Sequence, residues 1–174
     1  NKYSKDNLLS AFSPKKPNNH LTEFLSTQNL KQLKIAETEK FNHVTYFFNG
    51  LNTKVFENED RILVKSKKVS SYSLLPEMSA HEITLKALKS IVKEYYNFIL
   101  INYANADMVG HSGDRLAGKI AVETIDQQLE LVVDCAIKND YTVLITADHG
   151  NIEEIISPQT GEPQTSHSRN DVPF

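Results

Sequence analysis

Two short stretches of the chain set an aspartate close to a histidine and a glycine: Asp107-Met-Val-Gly-His111 and Asp148-His149-Gly150. A carboxylate oxygen together with an imidazole nitrogen suits Mn2+, Zn2+ or iron, and the absence of a nearby thiolate argues against a structural cysteine-type zinc site. A third histidine, His167, falls in the polar loop Gln164-Thr-Ser-His-Ser-Arg169. A lone Asp-His-Gly is better explained by an aspartate that caps a helix and a histidine in a loop. Two such pairs and His167, read together, point instead to a divalent-metal site. Gly150 lets the backbone turn directly after His149, so that both neighbouring side chains can face a crevice.

Such pairs need a rigid rim to hold them. Tyr141-Thr-Val-Leu-Ile145, just ahead of Asp148, is short, apolar and rich in β-branched residues, and reads as a buried strand of a parallel sheet. Phe98-Ile-Leu-Ile-Asn-Tyr103 reads as a central strand that ends just ahead of Asp107. Open α/β sheets bind ligands at the carboxyl ends of their strands. Both pairs are therefore expected on one edge of one sheet.

The connecting segments read as helices. Ser79-Ala-His-Glu82 matches a capping box. The helix it opens carries Leu85, Leu88, Ile91, Val92 and Tyr95 at three- and four-residue spacing, the pattern of a core-facing stripe. A second long helix, from about Leu116 to Lys138, is expected to bury Ala121, Val122, Ile125, Leu129, Val132 and Ala136. Upstream, Leu21 to Thr27 suggests a short helix with Leu21, Phe24 and Leu25 on one side. Gln32 to Ala36 alternates like a strand, Glu39 to Phe48 is helical and ends at Asn49-Gly50, and Arg61 to Val64 is a further strand. Strands alternating with long amphipathic crossovers predict an α/β fold, a three-layer α/β/α sandwich with helices on both faces of a mostly parallel sheet.

Composition narrows the function. A formal net charge of -3 leaves no basic stripe to neutralise a row of phosphates, so bulk nucleic-acid binding is not expected. The apolar runs are too short to span a bilayer, and the first residues lack the apolar core of a signal peptide. Cys135 is the single cysteine; set among Val132, Val133, Ala136 and Ile137, it reads as a buried, inert thiol in a reducing cytosol. Residues 1–19, with the breaker cluster Ser13-Pro-Lys-Lys-Pro-Asn-Asn19, read as a linker or arm, and 20–174 as the folded part. The chain has no initiator Met and stops at Asp171-Val-Pro-Phe174, which looks like the start of another strand; a fragment is expected.

Four blocks carry a resemblance that covers the chain from about Leu21 onward: Ala36-Glu-Thr-Glu-Lys-Phe41, Asn102-Tyr-Ala-Asn-Ala-Asp-Met-Val-Gly-His111, Thr146-Ala-Asp-His-Gly-Asn151 and Gln164-Thr-Ser-His167. In wording, order and spacing they resemble the cofactor-independent phosphoglycerate mutases of the alkaline-phosphatase superfamily. The resemblance implies an alkaline-phosphatase-like fold, here a partial domain, and two Mn2+ ions, although Zn2+ has the same ligand preferences. It implies that Asp107, His111 and His167 hold the first ion, that Asp148 and His149 supply part of the second, and that Lys40 reaches the substrate phosphate. An ammonium suits that role because it is a compact point charge. By position alone Lys40 would be a surface lysine at a helix start.

The family's reaction moves a phosphate between the 3- and 2-hydroxyls of glycerate through a phosphoserine. Its serine nucleophile, a further metal-binding aspartate and its arginine-rich substrate-clamping domain lie in a portion that this chain does not contain. Ser112 and Ser166 do not match the nucleophile's motif. The chain is therefore expected to be the C-terminal part of a cytoplasmic mutase's phosphatase domain, completed by the missing N-terminal part and inactive alone. Two alternatives are another superfamily member such as phosphopentomutase, and a non-catalytic metal-binding module.

Overall fold

The computed structural model describes residues 17–174. Most of the expected linker or arm, 1–16, lies outside the described residues. The first helix, α1, spans Leu21–Thr27 and is opened by His20, whose ring Nδ1 accepts the Glu23 N–H at 3.3 Å. Its inward face differs from the expected one: Thr22 and Leu25 are buried, whereas Leu21 and Phe24 are exposed.

The reason lies in the strand that follows. β1, Gln32–Glu37, is the middle strand, and all six of its residues are buried. On its two sides lie β2, Glu59–Val64, and β3, Phe98–Asn102, both parallel to it. The alternation that suggested a half-exposed strand instead feeds two covered faces. Leu33 and Ile35 point into an apolar core with Val64; Gln32 and Lys34 point the other way, beneath α1. There Lys34 donates to Thr22 Oγ1 at 2.9 Å and to Asn49 Oδ1, and lies 3.2 Å from Glu59 Oε1. Thr22 faces inward because this polar cluster needs its hydroxyl. Burial, opposed by Glu59, lowers the Lys34 pKa to about 8.

The expected helix over 39–48 is present as a turn of π-helix at His43–Phe47, closed by the Phe48 N–H on the His43 carbonyl at 3.2 Å. It delivers Asn49 to the Lys34 cluster, and Gly50 then leaves with φ +63°. Such a wide turn is uncommon and is often found near functional sites.

α2, Ala80–Ile91, covers the apolar face. Its buried residues include Ala80, Ile83, Ala87 and Ile91, one stripe at three- and four-residue spacing; Leu85, Val92 and Tyr95 of the expected stripe are exposed. The capping box does not form. Ser79 Oγ donates to the Lys65 carbonyl at 3.3 Å, and the Ser79 N–H goes to the buried carboxylate of Glu37 at 3.4 Å, so tertiary partners replace the local ones. After β3 comes α3, Asn105–Gly110, and then α4, Arg115–Lys138, which Asp114 caps through the N–H groups of Leu116 and Ala117. α4 packs on α2 and buries Ala117, Gly118, Ala121, Thr124, Gln128, Val132 and Ala136. Ile125 and Leu129 are only half-buried and Val122 is exposed. Cys135 is half-buried against the core.

Two strand expectations are overturned. β3 is not central; it flanks β1 and is half-buried throughout. Tyr141 to Ile145 forms no ladder among the described residues: Tyr141 and Val143 pack on the core, but Leu144 is 76% and Ile145 47% exposed. A strand is stable only where its backbone N–H and C=O groups find a partner, and composition alone cannot supply one. Asp171 to Phe174 is likewise unpaired.

Candidate metal centre

α3 is six residues long, and it starts three residues past β3. Asp107 lies on it and His111, in helical conformation, caps its end; the two stand four apart, hence on one face, with the His111 N–H on the Asp107 carbonyl at 3.1 Å. Local helix geometry therefore brings His111 Nε2 to 3.1 Å from Asp107 Oδ1. His167 comes from a remote loop: its Nε2 lies 3.2 Å from the same Asp107 oxygen and 3.2 Å from His111 Nε2. The ligand atoms of Asp107, His111 and His167 all lie within 4.8 Å of one another.

His149 joins them by stacking, its ring 3.6 Å from that of His167 and its Nε2 3.9 Å from Asp107 Oδ1. Asp148 is more open, its side chain 55% exposed, with its Oδ1 3.6 Å from His149 Nε2. Both reach the site from an extended segment outside the sheet, so the expected shared rim of two strands is not how they are held. Lys40 is buried, and its ammonium contacts Asp107 Oδ2, the oxygen that the histidines leave free.

The electrostatics follow from these contacts. Burial alone would raise the Asp107 pKa. Hydrogen bonds from Lys40 and Asn151, with the charges of Lys40 and His111, outweigh it and bring it to about 2. Asp107 is thus an anion at any ordinary pH, as a cation ligand must be. His111 Nδ1 faces the Thr165 carbonyl at 2.6 Å, and a carbonyl only accepts, so Nδ1 carries a hydrogen and, in the neutral ring, Nε2 is left as a lone pair. That lone pair points at a carboxylate oxygen and a second imidazole nitrogen. A carboxylate oxygen and two imidazole nitrogens converging within coordination distance of one point is an arrangement that suits a divalent cation.

His43 stands at the margin. Burial, then the Lys40 charge, lowers its pKa; its Nδ1 is buried without a partner, and the ring leans on Phe47. Ser112 is occupied elsewhere, donating to the Val109 carbonyl at 2.6 Å and accepting the Asp114 N–H at 3.1 Å.

One residue that carries much of the geometry had no role in the sequence reading. Asn151 is buried, and its amide donates to Asp107 Oδ1 at 2.9 Å and to the Asp107 carbonyl at 3.2 Å. The only signal for it was its place at the end of the Asp-His-Gly-Asn run. The Thr165 carbonyl left no signal at all, since backbone groups carry none in a sequence.

Comparison with known proteins bears on the family and the fold. The Metalloenzyme superfamily matches residues 7–174. The chain is 51% identical, over 99% of its length, to a 2,3-bisphosphoglycerate-independent phosphoglycerate mutase of Ehrlichia ruminantium, and spans 35% of that protein. The mutase of the same name from Acetivibrio thermocellus is also 51% identical, over 97% of this chain and 33% of its own. The chain thus spans about a third of the length of these curated relatives. Among solved structures, Leishmania mexicana phosphoglycerate mutase at low cobalt concentration superposes with a TM-score of 0.82 at 32% identity, over 87% of this chain and 30% of the other. The parallel sheet flanked by helices is thus an alkaline-phosphatase-like fold, present here in part.

Proposed function

The chain belongs to the Metalloenzyme superfamily, and from that membership we propose that it is the C-terminal part of a phosphoglycerate mutase that interconverts 3- and 2-phosphoglycerate. The observation that carries the reading is the convergence of Asp107, His111 and His167 around one carboxylate oxygen, with Lys40 on the other. Asp107, His111 and His167 would hold one divalent ion, and Asp148 and His149 part of the shell of a second. Bound there, the ions would act as Lewis acids, lowering the pKa of an attacking hydroxyl and bracing phosphoryl oxygens. Cobalt with the Leishmania mutase supports a divalent ion of this class, and Mn2+ is the ion we assign.

The chain's own residues do the positioning. Lys40 neutralises Asp107 until a phosphoryl group offers it a second anionic partner; its burial strengthens that attraction. The Thr165 carbonyl fixes the His111 tautomer, and Asn151 fixes the Asp107 carboxylate, so neither ligand must reorient when charge develops. The serine nucleophile and the groups that clamp glycerate would come from the rest of the polypeptide, in a cytoplasmic protein.

The protein expressed from its whole gene should convert 3-phosphoglycerate to 2-phosphoglycerate, lose activity to a chelator and regain it with Mn2+. The 174-residue chain alone should be silent. Activity on pentose phosphates instead of 3-phosphoglycerate, activity that survives complete metal removal, or turnover by the isolated chain would overturn the proposal.

A further inference from the structure

His167 is the one ligand of the converging three that local geometry does not place. It lies in a loop more than fifty residues from Asp107 and His111, and the hydrogen-bonding and stacking partners of its ring among the described residues belong to the cluster of ligands. Something must hold the backbone on which it rides.

The next residue, Ser168, gives its N–H to the Gly150 carbonyl at 3.0 Å, forming an isolated antiparallel bridge beside His149. The bridge is covered by one carboxylate. Glu153 accepts the Asn151 N–H at 2.7 Å through Oε2; through Oε1 it accepts the Ser168 hydroxyl and, at 3.1 Å, the Asn170 amide. A single side chain therefore ties the turn carrying His149 to the first and third residues after His167. Glu154 adds an outer tie, taking Asn170 at 3.1 Å and Gln164 at 3.3 Å. Gly150 fits the same clasp: a Cβ there would collide with Ser168 Oγ and Glu153 Oε1, so a larger residue would have to push the clasp's side chains aside. Burial would raise the Glu153 pKa, but the hydrogen bonds, led by that from Ser168, prevail and lower it, so the clasp is ionic near neutrality.

We propose that Glu153 is a positioning residue of the metal centre, its carboxylate clasping Ser168 and Asn170 to the Gly150–Asn151 turn and so setting where His167 and His149 present their Nε2 atoms. This rests on the metal-centre reading above. Residues that orient metal ligands without touching the ion commonly account for about tenfold to a hundredfold in metal affinity. Lengthening or loosening the clasp moves His167 relative to Asp107 while leaving the sheet and its helices untouched.

The test uses the protein expressed from its whole gene, stripped of metal and titrated with Co2+, reading affinity by calorimetry and geometry by the visible absorption of bound cobalt. Glu153→Gln should weaken Co2+ binding about tenfold or more and change the band shape, with the metal-free thermal unfolding midpoint little altered. Ser168→Ala should act in the same direction, and Glu153→Asp should recover part of the loss. His167→Ala separates the two claims: if it leaves Co2+ binding unchanged, the metal-centre reading itself fails. If His167→Ala weakens binding while Glu153→Gln alters neither affinity nor spectrum, the positioning role alone is overturned. Loss of affinity in Glu153→Gln matched by an equal loss in the unrelated surface variant Glu130→Gln would overturn it as well.

Discussion

Gly110 and Asn151 show how tightly the site is packed around Asp107. A Cβ on Gly110 would sit 2.4 Å from Asn151 Oδ1 and 2.8 Å from its Cγ, and that amide is what grips the Asp107 carboxylate. In an ordinary helix, alanine in place of glycine would be favourable by about 1 kcal/mol. Here the collision opposes it, and Gly110→Ala should destabilise the protein by about 1–3 kcal/mol, the usual cost of overpacking. In an Asn151→Ala background the obstacle is gone and Gly110→Ala should be neutral or favourable. Urea unfolding of the four proteins gives the coupling; additive effects would refute the contact. The sequence made Asp107 and His111 visible because a carboxylate and an imidazole, both metal-ligand types, stand close together just past an apolar run. Asn151 stayed hidden, because its partner lies 44 residues away and asparagine has no chemistry that marks it.

Among the elements, β1 departs furthest from its pattern. Polar residues alternating with apolar ones ordinarily mark a face in water, yet Gln32 and Lys34 are as buried as Leu33 and Ile35. Thr22, Asn49 and Glu59, which arrive from three separate segments, surround the Lys34 ammonium, and the Gln32 amide donates to the Thr22 carbonyl. Two consequences are measurable. Glu59→Gln leaves the Lys34 ammonium buried without its charge partner and should cost about 3–5 kcal/mol, read from the shift of the denaturation midpoint. The second concerns pH. Folding lowers the Lys34 pKa from 10.5 to about 8, so between those values the unfolded chain holds a proton that the folded chain has released. Stability from this group therefore rises as pH climbs from about 8 towards 10.5, and is lost as pH falls through 8. Compared with Lys34→Met, the unmodified protein should gain stability between pH 8 and 10; a difference that stays constant or narrows would exclude the assigned shift. α2 teaches the same lesson from outside the core. Ser79 and Glu82 had the spacing of a capping box, but Glu37 and the Lys65 carbonyl, distant in sequence, took Ser79 first.

At the scale of the whole molecule, the described residues leave apolar surface uncovered on one side. β3 has a ladder partner on only one edge, and Leu144 and Ile145 project beside a backbone that pairs with nothing among the described residues. Unpaired edges with apolar side chains invite pairing with other chains. The 174-residue chain should accordingly associate as its concentration rises, and Leu144→Lys should raise the concentration at which light scattering first increases. An unchanged onset would place the adhesive surface elsewhere. Membership of the Metalloenzyme superfamily accords with the chemistry inferred at the start. What the amino-acid sequence determined unaided was local or compositional: the donor types, the nearness of Asp107 to His111, the existence of the two long helices, and a parallel α/β class. Which strand is central, which stripe of α2 is buried, where His167 arrives and what holds it were decided only by the tertiary structure. Each of those depends on groups that meet across tens of residues, and the energy of such a meeting is written in no single segment.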